Sequence, residues 1–226
     1  MSDAIYQAAT WIVPLVIAIV FHEVAHGWVA RLFGDPTAGR MGLLSLNPIR
    51  HVDPIGTIIL PMGLALAGAP IFGWAKPVPV DKRRLRNPRV HMMFVALAGP
   101  GMNFMLAALT FVALGALLVG FGQNPGIAVA FINANLINFA IINVMLGVLN
   151  LLPLPPFDGG HVVEGLLPPS LGRRYARLAR YGFPLMILLI VVLPMLSPRA
   201  AVVPQLIGPP VEWILGLGAR FLSLFG

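Results

Sequence analysis

The sequence contains no cysteine and few charged side chains, and each shortage excludes a class of protein. Without cysteine there are neither disulfides nor thiolate metal ligands. Only 10% of the 226 residues are charged and 58% are hydrophobic, which is more apolar surface than a water-soluble fold of this length can bury. The 15 lysines and arginines outnumber the 8 acidic residues, but they lie in short segments between apolar runs and form no aromatic-interleaved basic surface. This pattern predicts a multi-pass protein of the cell membrane, surrounded by lipid, and argues against nucleic-acid binding.

Five to six apolar segments predict an all-α polytopic membrane protein. We expect one domain over residues 1–226, with a core at 5–160 and additional C-terminal membrane segments at 181–226. The first helix is predicted to end before Gly34, Asp35 and Pro36, because a glycine followed by a proline ends helices. The other predicted helices cover residues 91–121, 126–151, 183–196 and 202–225.

Residues 54–72 are apolar but are interrupted by Pro61, Gly63, Gly68 and Pro70. Basic residues stand on both sides of this segment, so both flanks are predicted to face the cytoplasm. An embedded or re-entrant segment fits that charge pattern, and an ordinary spanning helix remains the alternative. The same reasoning predicts an extracytoplasmic N-terminus, with Arg40, Lys82 and Arg174 all on the cytoplasmic side.

The first apolar run contains His22-Glu23-Val24-Ala25-His26, a metal-site motif inside a predicted membrane helix. Residues four apart share a helix face, so His22 and His26 can present two imidazole nitrogens to one Zn²⁺. Glu23 stands beside them and can take a proton from an attacking water. Ionisable groups inside hydrocarbon are costly unless paired, which favours a functional site over chance.

Two histidines leave a place for a third protein ligand, and Asp158 is the best candidate. It follows three prolines that prevent helix and can bring a carboxylate back toward the first helix, and Gly159 and Gly160 allow close backbone approach. The other candidates are His51, Asp53, His91 and His161. His161 is also a candidate for a hydrogen-bond partner of a ligand, because it lies close to Asp158.

These motifs resemble the site-2 protease family of intramembrane zinc metalloproteases. The sequence His22-Glu23-Val24-Ala25-His26 corresponds to the family's H-E-x-x-H, and Asn150 to Asp158 with Gly159 corresponds to its second motif. Further similarity to the compact bacterial and archaeal branch lies at residues 33–38, 46–48, 72–80 and 98–103, so the resemblance covers about 21–160. The chain has no room for the PDZ or CBS domain of larger members, which leaves open how substrates are selected.

The resemblance implies that His22, His26 and Asp158 bind one Zn²⁺ per chain and that Glu23 is the general base. It also implies that Asn150 touches the substrate or its developing oxyanion, although a helix C-terminal cap would explain the same residue. Asn103 is interpreted as part of close helix packing through small residues rather than as catalytic. The implied reaction is hydrolysis of peptide bonds in or near transmembrane segments of other membrane proteins, at a site reached from the cytoplasm. A zinc-dependent hydrolase of lipids or small amphiphiles, and a non-catalytic zinc-binding adaptor, are the alternatives.

The segment 73–80 has β-type alternation and two prolines, which suit an edge strand but not a central one. We expect Trp74, Ala75 and Val78 to bind an unwound substrate by strand addition. The alternative is an interfacial loop anchored by Trp74 and Lys76.

Overall fold

The computed structural model describes residues 3–66, 73–122, 126–197 and 201–225, and most of these residues are helical, with no strand among them. The predicted all-α membrane fold is thereby confirmed. The α-helices are α1 Asp3–Leu32, α2 Thr37–Arg40, α3 Leu60–Leu66, α4 Pro88–Phe121, α5 Ile127–Asn150, α6 Asp158–Leu166, α7 Pro169–Ala176, α8 Gly182–Ile187, α9 Leu193–Leu196 and α10 Val202–Leu222. Short 3₁₀ or π turns cover Pro48–His51, Pro54–Ile59, Lys82–Arg84, Arg177–Tyr181 and Leu188–Val192.

Four helical stretches of the described chain are long and apolar enough to cross a membrane: α1, α4, α5 and the run Pro169–Leu196 that includes α7 to α9. A shorter apolar helix covers Pro54–Leu64. With this helix and α10, the number of segments agrees with the expected five to six. Many apolar side chains on the long helices face outward, as expected of surfaces that contact lipid.

α1, α4, α5 and α10 form the packed core of the protein. α4 runs antiparallel to α1, because Val95 packs on Ala30 near one end of the pair and Asn103 lies beside Ala18 farther along. α5 also runs antiparallel to α4. α10 completes the group through a cluster of Ala107, Val144 and Val211, and it runs in the same direction as α4. Because α1 and α4 approach closely, residues near the middle of each helix can share one site.

Residues 54–66 form the short helical segment that the sequence marks as embedded. Its two flanks are bonded to each other: the Lys76 N–H donates to the His51 carbonyl at 2.8 Å and the Trp74 N–H donates to the Gly56 carbonyl at 3.1 Å. Any Cβ at position 56 would overlap the Trp74 ring, so glycine is needed for this contact. The two flanks of this helical segment therefore lie side by side, as the flanks of a re-entrant segment would. Residues 67–72 of the predicted segment lie outside the described residues.

Candidate metal centre

His22 and His26 lie one helical turn apart on the buried face of α1, with 7% and 8% of their surfaces exposed. Their Nε2 atoms are 3.0 Å apart, so both rings point to the same spot between α1 and α4. The helical period predicted this shared face from the sequence. The third candidate ligand, Asp158, lies on a different helix, α6.

Asp158 is the first residue of α6, and its Oδ2 atom lies 3.2 Å from His22 Nε2 and 3.3 Å from His26 Nε2. The turn before α6 holds it there: the Tyr175 hydroxyl donates to the Pro153 carbonyl at 2.7 Å, and the Phe157 side chain is buried. A Cβ on Gly159 would overlap the carbonyls at the end of α5, so the glycine permits the sharp return. The prediction that a proline-rich turn brings Asp158 to the two histidines agrees with this geometry.

The other candidate ligands are engaged elsewhere. Asp53 accepts the N–H groups of Ile55 and Gly56 as a helix cap. His51 contacts the Ser45 carbonyl, His91 stacks on Phe33, and His161 pairs with Glu164. Across the residues the structure describes, the one group of three metal-binding side chains is therefore His22, His26 and Asp158.

The three residues fit a zinc ion by chemistry and by spacing. Zinc bonds of about 2.0–2.2 Å in a tetrahedron place neighbouring ligand atoms about 3.3 Å apart, close to the three separations observed. Asp158 Oδ2 is also buried and makes no hydrogen bond of acceptable geometry to any described residue. A buried carboxylate oxygen facing two imidazole nitrogens without a hydrogen bond is the arrangement that a shared cation would stabilise.

The outer nitrogens of both histidines are held by hydrogen-bond partners on α4. His22 Nδ1 lies 2.6 Å from Asn103 Oδ1, and His26 Nδ1 lies 2.7 Å from the carbonyl oxygen of Val95. Both partners are acceptors, so each Nδ1 carries the proton and each Nε2 presents its lone pair to the centre. The protein thus selects the ring tautomers that bind metal.

Asn103 has a role that the sequence interpretation missed. It is fully buried, and its amide nitrogen donates to Asn143 Oδ1 at 2.8 Å while its oxygen faces His22. Asn143 in turn donates to the Phe139 carbonyl, so the amide chain links α4 to α5. Helix packing alone does not explain these contacts. An asparagine in the middle of each of two apolar helices was the available signal, because such amides need polar partners in hydrocarbon.

Replacing Asn103 by leucine is expected to lower the affinity for zinc about 10–100-fold, because His22 loses the acceptor that orients it. Competition with a zinc chelator, read by metal analysis of the purified protein, measures this loss. Asn138→Leu is the matched control, since Asn138 makes an interhelical hydrogen bond to the Thr10 carbonyl at 2.9 Å that does not reach the histidines. Equal losses in the two variants would contradict a specific role for Asn103.

Glu23 lies beside the histidines, with its Oε2 atom 2.8 Å from the backbone nitrogen of Val78. The Val78 N–H donates to this carboxylate and orients it from the extended segment at residues 73–80. The segment is itself anchored farther along, where the Asp81 N–H donates to the buried Asp35 carboxylate at 2.7 Å. The sequence predicted Glu23 as a base but offered no signal for its backbone partner.

The predicted substrate-binding residues lie in different surroundings. The Val78 side chain is 7% exposed and packs with Ala38 and Leu43, so it faces the protein and is not available as a side-chain contact for substrate. The Trp74 ring packs edge-on against Phe183 at 5.3 Å between centroids, and Ala75 is half-buried. The Asn150 amide donates to the Leu146 carbonyl of its own helix at 3.0 Å, as a residue at a helix end would. Binding of substrate by Trp74, Ala75 or Asn150 stays a prediction.

Comparison with known proteins agrees with this site. The profile of Peptidase family M50 matches residues 10–134 and 122–193, which include the histidine motif and Asp158. The chain belongs to peptidase family M50. A Bacillus subtilis (strain 168) protein named "Putative zinc metalloprotease YwhC" is 39% identical over 184 residues, covering 80% of the M50 chain and 79% of that protein. A Mycolicibacterium smegmatis protein named "Putative zinc metalloprotease Rip2" is 30% identical over 187 residues, covering 81% and 65%.

No solved structure gives a significant match to the M50 chain. The family match confirms the resemblance to site-2 proteases that the two motifs predicted, and it supports assignment of the chain to the metalloproteases. Two features of the structure agree with a metalloprotease: His22, His26 and Asp158 converge on one point, and Glu23 is held beside them by the Val78 N–H.

Proposed function

We propose that the protein is an intramembrane zinc endopeptidase that cleaves peptide bonds in or near transmembrane segments of other membrane proteins. The observation that carries this proposal is the convergence of His22, His26 and Asp158 between apolar helices, with Glu23 oriented beside them. A water-requiring site embedded among membrane helices suits a substrate that is itself within the membrane.

In the proposed reaction, one Zn²⁺ held by the three ligands would polarise the scissile carbonyl and lower the pKa of water. Glu23 accepts the proton of the attacking water and delivers it to the leaving amine, which requires one group to act as base and then as acid. The Val78 N–H keeps the Glu23 carboxylate in one orientation during both transfers. Asn150 is proposed to contact the substrate carbonyl from the end of α5.

The reconstituted enzyme tests this function. Wild-type protein in liposomes should cleave transmembrane peptides whose helices contain breaking residues, and it should cleave matched peptides with uninterrupted helices more slowly, because a helical peptide bond is concealed. Ester lipids and small amphiphilic amides in the same assay distinguish a membrane hydrolase of another class. Turnover of those compounds without peptide cleavage would reject the proposal.

The extended segment Gly73 to Val80 is proposed to present the substrate to the metal centre. The backbone N–H groups of Trp74, Lys76 and Val78 all donate inward, to Gly56, His51 and Glu23. Alternation along an extended chain turns the intervening carbonyls of residues 75, 77 and 79 to the opposite side. That outer edge offers acceptors to an added strand, and Val78 of the same segment donates to Glu23, so strand addition would hold the peptide near the proposed catalytic carboxylate.

A photo-crosslinker at Ala75 is expected to capture a transmembrane substrate in a protein that carries Glu23→Gln, because substrate would pair with the outer edge and persist there. A probe at Ile49, which is 79% exposed but lies off the edge, is the matched control and should capture little. Mass spectrometry of the adducts locates the contacts. Crosslinks found only from a probe on a core helix, such as Met145 on α5, would contradict strand addition.

The basic segments are proposed to face the cytoplasm together, so that substrate and water reach the site from that side. Two contacts at one end of the bundle support this. The Arg86 N–H donates to the Phe33 carbonyl at the end of α1 at 3.1 Å, and Lys82 pairs with Glu164 of α6 at 3.1 Å. Single cysteines at Arg40, Lys82 and Arg174 should react with impermeant reagents from the same side of the membrane. Labelling of Arg40 and Lys82 from opposite sides would contradict this topology.

A further inference from the structure

A cavity of about 230 Å³ lies at the end of the bundle where α4, α6 and α7 meet. Its polar side chains are Lys82, Arg89, His161, Glu164 and Arg173. The cavity is therefore lined by three permanent cations, one histidine and one carboxylate. It is separate from the three metal-binding side chains, none of which lines it.

The single carboxylate of the cavity, Glu164, already has cationic and hydrogen-bonding partners. Glu164 lies 3.1 Å from Lys82 Nζ and 3.1 Å from His161 Nδ1. Burial would raise the pKa of the Glu164 carboxyl, but the hydrogen bonds from His161 and Lys82 outweigh burial and hold this pKa below its usual value. Glu164 is thus a stable anion whose charge is neutralised by Lys82. It therefore does not neutralise the charge of Arg89 or Arg173.

Arg89 and Arg173 have no acidic partner among the described residues. In addition, the Nε–H of Arg89 is buried without a hydrogen-bond acceptor in the part of the chain that the structure describes. A buried donor without an acceptor is destabilising, and two unmatched guanidinium groups at one cavity repel each other. Both features indicate an anionic occupant.

The position of the cavity relative to the membrane indicates where that anion comes from. Pro88 and Pro169 line the cavity, and they are the first residues of two of the four stretches that could cross a membrane. The cavity therefore lies at the level where helices enter the bilayer, which is the level of lipid headgroups. Leu171 on α7 is 47% exposed, and apolar surface at this depth can contact acyl chains.

We propose that this cavity binds the phosphate of an anionic phospholipid headgroup. Two guanidinium groups can each donate paired hydrogen bonds to phosphate oxygens, which supplies the acceptor that Arg89 lacks. A headgroup with a net negative charge is favoured over a zwitterionic one, because a choline ammonium would face three cations. The bound lipid would join α4 and α7 to α6, the helix that begins with the candidate ligand Asp158.

Lipid binding can be measured on the purified protein in a neutral detergent. Phosphatidylglycerol is expected to raise the melting temperature in a saturable manner and to appear as a bound lipid in native mass spectrometry, whereas phosphatidylcholine should do neither at the same concentrations. Arg89→Gln and Arg173→Gln are each expected to weaken the apparent affinity about tenfold, the effect of losing a charge-assisted contact.

Two nearby arginines outside the cavity provide matched controls. Arg174→Gln and Arg86→Gln remove the same charge from the same two segments, but neither residue lines the cavity, so lipid affinity should stay within about twofold of wild type. Equal weakening in Arg173→Gln and Arg174→Gln would show general electrostatic attraction and overturn the proposal. Stabilisation by inorganic phosphate with none from phosphatidylglycerol would assign the cavity to a soluble phosphate compound and would also overturn it. Because Arg173 is exposed, its variant should fold and give a readable result.

Discussion

Replacing Glu23 by glutamine is expected to lower kcat about 10²–10⁴-fold and to leave the zinc content unchanged. The amide cannot take a proton from water, but its oxygen can still accept the Val78 N–H that the carboxylate accepts at 2.8 Å. Because Glu23 is not one of the three convergent ligands, the metal should stay bound. Peptide cleavage in liposomes and metal analysis of the same preparation give the two readings.

His22→Ala is the contrasting variant for this experiment. It removes one of the convergent imidazole nitrogens, so zinc and activity should be lost together. Asp158→Ala should behave in the same way, because its Oδ2 atom completes the group. Full activity in Glu23→Gln would reject Glu23 as the base, whereas full zinc content and intact activity in Asp158→Ala would reject the assigned ligand set.

Replacing Gly99 by alanine is expected to disable the metal centre although Gly99 carries no functional group. A Cβ at this position of α4 would lie 2.5 Å from both His22 Cε1 and His26 Nε2. Such a contact forces the imidazole rings or the helix to move, and the rings are already confined by the acceptors on their Nδ1 atoms. We expect zinc affinity to fall at least 10–100-fold, with a matching loss of cleavage.

Gly101→Ala is the matched control for that variant. Gly101 lies two residues farther along α4, and a Cβ there would meet no atom within 4 Å. The same change of residue in the same helix should therefore leave zinc affinity and activity unaltered. Circular dichroism of both variants is the check that their helices are intact. Unchanged zinc affinity in Gly99→Ala, with the fold intact, would show that the two imidazoles do not depend on close approach of α4.

The structure links Glu23, the proposed general base, to the region proposed to bind substrate. The extended segment that donates to Glu23 through Val78 is the same segment whose outer carbonyls face away from the protein. One edge of this segment would pair with substrate, and its other edge orients Glu23. A single stretch of backbone would therefore serve both purposes. This arrangement offers a physical route by which peptide binding could align the proposed base.

Local features of the sequence were enough to predict the membrane helices and to place the first two candidate metal ligands on one helix face. Apolar runs of about 20 residues indicate spanning helices because the bilayer has a fixed thickness, and a spacing of four places His22 and His26 on one face because the helical period is about 3.6. The prolines before Asp158 indicated a turn, since proline prevents helix. These inferences need only short-range geometry.

The contacts between distant segments were decided by the tertiary structure. Asn103 meets His22 across 81 positions of the chain, and the Val78 N–H meets Glu23 across 55. No periodicity or spacing rule predicts either pair, because the first depends on how α1 packs against α4 and the second on where the extended segment 73–80 lies against α1. The side chain of Val78 shows the same limit: its alternation suggested a surface for substrate, but packing against Ala38 and Leu43 buried it. The helical period and the thickness of the bilayer constrain one segment of chain at a time, so they can be inferred from the sequence. The tautomers of His22 and His26, the orientation of Glu23 and the space at Gly99 depend on how several segments pack together, so only the tertiary structure decides them.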